Sequence, residues 1–407
     1  VKSAARVLPL VISVLLIAGV SGLAVHNDSV NVDSGNTPTT LAVSPSSTVP
    51  GETTTTVKAD EPLVPPELAG LVAKLEAFVE KTRGLKFLKP VKVTLLNEKD
   101  FRQKVTAQSG DDAAAIDRIT RELRALDLIP AGADIGKIQK ELLGGLVLGY
   151  YDDKAKALFV RGGKPTPAVR ETLVHELTHA LQDQHFNLDR PEVDKAKDES
   201  GQSFSGLLEG DAVRVEEVYK HTLTGKEQRE AEAEQSKGVG DLSDVPPVLL
   251  ETLLFPYRVG PPFVATILSA AGQARLDQAF VKPPVTSEQL IHPERFLAGE
   301  GPLPVAEPPT NGGAKVIDQG VFGELGFLQQ LEGVITDPDQ LRRAAAGWGG
   351  DRYVAWDESG KTCVRVDVVM DTPLDADELR AALRRWVDAH KGATLEGASP
   401  IRFTSCG

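Results

Sequence analysis

Apolar residues at Leu68, Leu71, Val72, Leu75, Phe78 and Val79 return every three or four positions, which predicts a helix from near Pro66. A short strand follows at 91–96, then a helix from Asn97 and another in which Ile116, Ile119, Leu123 and Leu126 share a face. Residues 146–152 and 156–160 read as a hairpin turning through Asp152-Asp153-Lys154. The next stretch, Thr166 to Phe186, has a capping threonine, a proline at the first helical position and no later Gly or Pro. On that helix Leu173, Val174, Leu177, Ala180 and Leu181 fall on one side, and His175, Glu176 and His179 fall on the other. One face is expected to pack and the other to do chemistry.

Downstream, Phe204 to Val213 continues through Val215 and Val218 as a further helix, in which Glu216 and Glu217 read as solvated. Gly210 within it suggests close backbone approach by a neighbour. Lys226 to Lys237 reads as a solvated, charged helix or surface insertion. Pro246-Pro247 opens an apolar segment, and Gly260-Pro261-Pro262 opens another. Thr286 and Gln289 can form a capping box, and Pro293 closes that turn.

From Ile317 the pattern changes. Gly347-Trp348-Gly349-Gly350 leads into Asp351 to Asp357 and a turn at Glu358-Ser359-Gly360, and a strand alternating Val364, Val366 and Val368 with charged residues then precedes a helix. That helix is capped by Asp375 and carries Leu379, Leu383, Trp386 and Val387, and Ile401 to Thr404 form a last strand. The fold class expected is α+β and mostly helical, with a main domain over 67–315 and a small α+β unit over 316–407.

Composition adds an address. Lys2 and Arg6 precede an uncharged run from Val7 to Val25, so residues 1–26 read as an export signal, either cleaved or kept as a single membrane anchor. Residues 27–66, rich in Ser, Thr and Pro, cannot bury enough surface to fold and read as a disordered linker. The domain is then expected at the cell membrane, on its outer side, or secreted. In that setting Cys363 and Cys406, the only cysteines, are expected to form a disulfide. A net charge of -13 argues against nucleic acid as a partner. Oligomeric state is not legible.

The chemistry lies in His175-Glu176-Leu177-Thr178-His179. Imidazoles four residues apart on a helix sit one turn apart and can reach one tetrahedral Zn²⁺, while Glu176 need not be a ligand and can serve as general base. With seven His in 407 residues, chance supplies this motif in roughly one chain in a hundred. A catalytic zinc needs a third protein ligand, and Glu209 is the candidate, with 29 residues between it and His179.

His175-Glu176-x-x-His179 followed by Glu209-Gly210-x-Ala212 resembles the gluzincin zinc metallopeptidases, the thermolysin-like and aminopeptidase-like clan. The resemblance covers about residues 146 to 220. It implies one zinc per chain held by His175, His179 and Glu209, a zinc-bound water and Glu176 as base. It also implies that a sheet edge, here the hairpin before the motif, holds an extended peptide substrate, and that a His or Tyr stabilises the tetrahedral intermediate. His292, Tyr257 and Tyr219 are candidates for that last part, His292 foremost, while His185 and His221 read as surface residues. Two departures stand out. The spacing to Glu209 exceeds the roughly twenty residues usual in thermolysin-like chains, and Val213 occupies the place of their second carboxylate. The group behind His175 is therefore unassigned; Asp211 would point elsewhere on a helix.

The function expected is an extracytoplasmic zinc peptidase acting on peptide or protein. Two alternatives stay open: a surface-binding or cell-wall protein of little turnover on the same fold, and a zinc hydrolase of a non-peptide amide or ester.

Overall fold

The computed structural model describes residues 63–108, 113–238 and 242–407. The segment expected to direct export, 1–26, and nearly all of the linker over 27–66 lie outside them. Among the described residues no helix is long and apolar enough to cross a membrane. The architecture is α+β and mostly helical, with two sheets.

Helix α1 (Pro66–Arg83) buries Leu68, Val72, Leu75 and Val79, the stripe its sequence period marks, and stops at Gly84 in the left-handed conformation. Strand β1 (Lys92–Leu96), α2 (Glu98–Gln108), α3 (Ala113–Ala125) and α4 (Ile135–Leu146) follow. The hairpin of β2 (Gly149–Asp152) and β3 (Ala157–Arg161) forms as expected, and β1 pairs parallel to β3. The strand order β1-β3-β2 leaves β2 at an edge.

Helix α5 (Pro167–Phe186) carries the His-Glu-x-x-His motif. The short α6 (Pro191–Asp194) leads to α7 (Ser200–Lys220), which carries Glu209. Helix α8 (Gly225–Gly238) keeps Lys226, Arg229, Glu230 and Glu232 exposed, the solvated face expected, and packs through Ala231 and Gln235, with Gln235 Nε2 donating to Glu171 Oε2 on α5 at 2.8 Å.

Helix α9 (Pro247–Val281) departs from expectation. It continues through Pro256, Pro261 and Pro262 and breaks instead at Gly272, where φ is 73°. Proline at 256 cannot bond to the carbonyl of Thr252, and that oxygen accepts from Gln202 Nε2 of α7 at 3.3 Å. The neighbouring helix thus satisfies an acceptor that the proline orphans.

Helices α10 (Ser287–Ile291) and α11 (Pro293–Ala298) lead to the second sheet. Thr286 caps α10 through Gln289 N, but Gln289 Oε1 accepts from Val285 N, so the capping box is incomplete. The sheet comprises β4 (Val316–Gly320), β5 (Trp348–Glu358), β6 (Lys361–Met370), β7 (Thr394–Glu396) and β8 (Ile401–Cys406), in the order β4-β5-β6-β8-β7. Helices α12 (Gly323–Glu332), α13 (Pro338–Ala345) and α14 (Pro373–Ala389) complete it, with Thr372 rather than Asp375 as the cap of α14. Asp375 closes the capping box from the third position.

Alternation on β6 sends Val364, Val366 and Val368 into the larger core and Cys363 to the other face, opposite Cys406 of β8, with which it forms a disulfide. The larger core also takes in Ala125 and Leu126 at the end of α3. Ser405 Oγ donates to Ala125 O, and Gln330 Nε2 donates to Leu126 O. Helix α3 is therefore a shared wall between the sheet and the rest of the chain.

Candidate metal centre

The threonine cap works as its sequence predicts: Thr166 Oγ accepts from Val169 N at 3.3 Å, and Pro167 opens α5. The two-faced helix does not. Every residue from Ala168 to Asp183 except Arg170 is buried, because α1, α7, α8 and the first sheet surround α5. Its polar side chains are buried with partners. Thr172 and Thr178 donate to carbonyls one turn back, Glu171 takes Gln235, and Asp183 accepts from Tyr151 Oη at 2.7 Å and from Lys156.

At the middle of α5 three ligand atoms converge. His175 Nε2 lies 3.0 Å from Glu209 Oε2 and 3.0 Å from His179 Nε2, and His179 Nε2 lies 3.4 Å from Glu209 Oε2. These residues are at most 2% exposed. Among the described residues, they form the one group of His, Cys, Asp or Glu placed to hold a metal ion.

The opposite ring nitrogens are committed. His175 Nδ1 lies 2.9 Å from Glu216 Oε2, and Lys220 Nζ is 3.0 Å from the other oxygen of Glu216. His179 Nδ1 lies 2.9 Å from Gln182 Oε1. The amide of Gln182 cannot turn round, because its nitrogen donates to Leu208 O and to Asp211 Oδ2, both at 3.2 Å. Asp211 is itself held by Arg83 Nε at 2.6 Å. Each Nδ1 is therefore placed to donate, which leaves each Nε2 facing Glu209 as the nitrogen a metal would take.

Two inward ring nitrogens and a carboxylate, dry and about 3 Å apart, need a cation between them. The edges of 3.0 to 3.4 Å match the roughly 3.3 Å edge of a tetrahedron with metal–ligand bonds of about 2.0–2.1 Å. The residues present fit a metal ion. Without one, a proton takes the role: burial disfavours it, but Glu209 and Glu216 outweigh burial and raise His175 to about 10. Burial likewise opposes the charge on Glu209, yet the two imidazoles hold its carboxyl down at about 2.

Glu216 is the residue that sequence reasoning missed. It reads as a solvated helix position and is instead 1% exposed. The available signal was its spacing, since seven residues after Glu209 is two helical turns and the same face. Asp211 serves the other imidazole, His179, through Gln182.

Glu176 is 1% exposed and sits beside β2. A Cβ on Gly149 would lie 3.4 Å from Glu176 Cγ and 2.5 Å from Thr172 Cγ2, so only glycine lets this edge strand reach α5. Gly210 plays the role its sequence suggests. A Cβ there would fall 2.3 Å from the carbonyl of Gly260, so α7 and α9 touch backbone to backbone. That contact brings Tyr257, one turn before Gly260, close enough to Glu209 and Glu176 to feel the charge of both. Burial, then the charges of Glu209 and Glu176, push the Tyr257 hydroxyl well above its ordinary pKa.

His292 is elsewhere, with Nε2 3.0 Å from Glu324 Oε1 of α12 and Nδ1 3.8 Å from Glu294. Tyr219 packs edge-on against Phe78 in the first core. His185 and His221 each bond a backbone carbonyl, Lys86 O and Glu217 O. Of the three residues expected to stabilise an oxyanion, the structure brings Tyr257 to the group.

A family model described as a domain of unknown function (DUF8575) matches residues 313–405, the part that forms the second sheet and its helices. The match does not reach α5 or α7. Comparison with curated proteins and with solved structures finds no match.

Proposed function

We propose that this chain is a zinc-dependent peptidase acting outside the cytoplasm, with His175, His179 and Glu209 as zinc ligands. The observation that carries the reading is the convergence of two Nε2 atoms and a carboxylate oxygen, with both Nδ1 atoms committed to acceptors, beside Glu176. Zinc held there would supply Lewis acidity, polarising a carbonyl and lowering the pKa of water toward about 7. Glu176 takes the proton of the attacking water on its carboxylate and returns it to the leaving nitrogen. The Tyr257 hydroxyl donates to the oxygen on which negative charge develops. Glu216 and Gln182 fix the two rings, and the free edge of β2 offers main-chain groups to an extended peptide.

The ligands and Glu176 are at most 2% exposed, so substrate entry requires the surrounding chain to part. That burial is also the observation behind a second reading, a surface protein with little turnover on the same scaffold.

Metal analysis of the unmodified chain and of Glu209→Ala, each with a peptide-library assay, tests the proposal. About one zinc per chain, lost in the variant along with chelator-sensitive cleavage, is expected. Stoichiometric zinc without cleavage of any peptide favours the second reading, and no metal at all rejects both.

A further inference from the structure

Away from the metal centre, a cleft of about 280 Å³ opens between α3, the start of α7 and the β4–α12 corner of the second sheet. That is near the lower end of the volumes small-molecule sites have. Its walls are mainly apolar, with Ile119, Leu123, Phe322 and Leu325 among them, and two carboxyls interrupt them. Glu122 comes from α3 and Asp318 from β4, and each is 7% exposed.

One oxygen of each carboxyl lacks a donor. Glu122 Oε1 and Asp318 Oδ2 are buried without a hydrogen-bond partner, while Asp318 Oδ1 accepts from Gln319 N. Arg118 Nε stands 3.8 Å from Asp318 Oδ2, beyond hydrogen-bond range. Lys197, at the rim, is exposed. Burial, then the charge of Asp318, pushes Glu122 up to about 8, so at neutral pH the empty cleft keeps a proton where a cation fits. Arg118 is ion-paired with Asp318 without bonding it, so what is missing is a cationic group with several N–H donors within hydrogen-bond distance of the two unpaired oxygens, attached to an apolar body. Anionic ligands meet the wrong charge, and a neutral apolar ligand leaves both oxygens unpaired.

We propose that this cleft is a second ligand site, which takes a small primary amine with an apolar body and places its ammonium between Glu122 and Asp318. It shares no residue with the metal centre and stands whether or not the chain is a peptidase. The ammonium replaces the proton on Glu122, and the body covers the α3 and α12 walls. Because the lining comes from α3 and α7 on one hand and from the β4–α12 corner on the other, an occupant ties the second sheet to the rest of the chain.

Calorimetric titration of the full chain with phenethylamine tests this, with chelator in excess so that the amine cannot ligate a metal. Saturable one-to-one binding is expected, weakened about tenfold or more by Glu122→Gln and by Asp318→Asn. Phenethyl alcohol should bind the unmodified chain at least about tenfold more weakly. That comparison keeps the test sharp should either variant fold poorly. Absence of saturable amine binding, equal affinity for the alcohol, or undiminished binding by both folded variants overturns the proposal.

Discussion

Glu216 Oε2 accepts from His175 Nδ1 at 2.9 Å, two helical turns along α7 from Glu209, whose carboxylate faces the other nitrogen of the same ring. One helix therefore holds His175 from both sides. Such partners orient the ring and raise its basicity as a ligand. Glu216→Ala should weaken zinc binding about 10- to 100-fold, read by competition with a chromophoric chelator. Unchanged affinity would remove Glu216 from the site.

Tyr257 and His292 make opposite predictions. With Tyr257 beside Glu209 and His292 bonded to Glu324, Tyr257→Phe should lower kcat about a hundredfold with little change in KM. His292→Gln should leave kcat within about a factor of two, because it alters only the α10–α12 contact. The reverse pattern would return the oxyanion role to His292.

How far the site was legible depends on sequence distance. The cap at Thr166, both histidines and Glu176 lie within one helix and follow from local spacing. Glu209 followed from the need for a third ligand. Glu216 was lost because a helical Glu beside Glu217 looks solvated, and nothing local says that α5 will lie across it. The same limit applies to α9. Gly260-Pro261-Pro262 reads as the opening of a separate segment, but the helix runs on through it, and Gln202 from another helix takes the carbonyl that Pro256 frees. Cys363 and Cys406 were legible through export chemistry, whereas the packing of α3 on the second sheet joins residues some 280 positions apart, Ala125 and Ser405.

Two glycines on helices should respond oppositely to a methyl group. Gly210→Ala places Cβ 2.3 Å from the Gly260 carbonyl, a clash with backbone that no rotamer relieves. It should destabilise the protein by at least about 1–3 kcal/mol in urea unfolding. Gly70 of α1 is exposed and a Cβ there meets nothing within 4 Å. Gly70→Ala should stabilise by about 0.5–1 kcal/mol. Equal responses would contradict the helix contact that positions Tyr257.

Stability of the metal-free chain should fall between about pH 5 and 8. Burial raises Glu199 to about 8 from an ordinary 4.5, despite its bonds from Ser287. In that window the unfolded chain has released this proton and the native chain keeps it, so raising the pH favours unfolding. Glu199→Gln, which cannot ionise, should flatten the slope in urea midpoints measured with chelator present. An unchanged slope would show that Glu199 ionises as readily folded as unfolded.

The metal centre makes a second, independent proton prediction. In the metal-free protein His175 holds its extra proton up to about pH 10, because Glu209 and Glu216 flank it closely enough to overcome burial. His175 Nε2–H then has Glu209 Oε2 and His179 Nε2 within reach, each at 3.0 Å, and it occupies the place a metal would take. Metal and proton cannot share that nitrogen. Zinc uptake near pH 7.5 should therefore release about one proton per ion, followed with an indicator dye in weak buffer. Because that proton is bound throughout the range, apparent zinc affinity should fall about tenfold for each unit of acidification between pH 8 and 6. Zinc binding without proton release, or with an affinity flat over this range, would mean that the ion sits away from His175, and the proposed ligand set would fail with it.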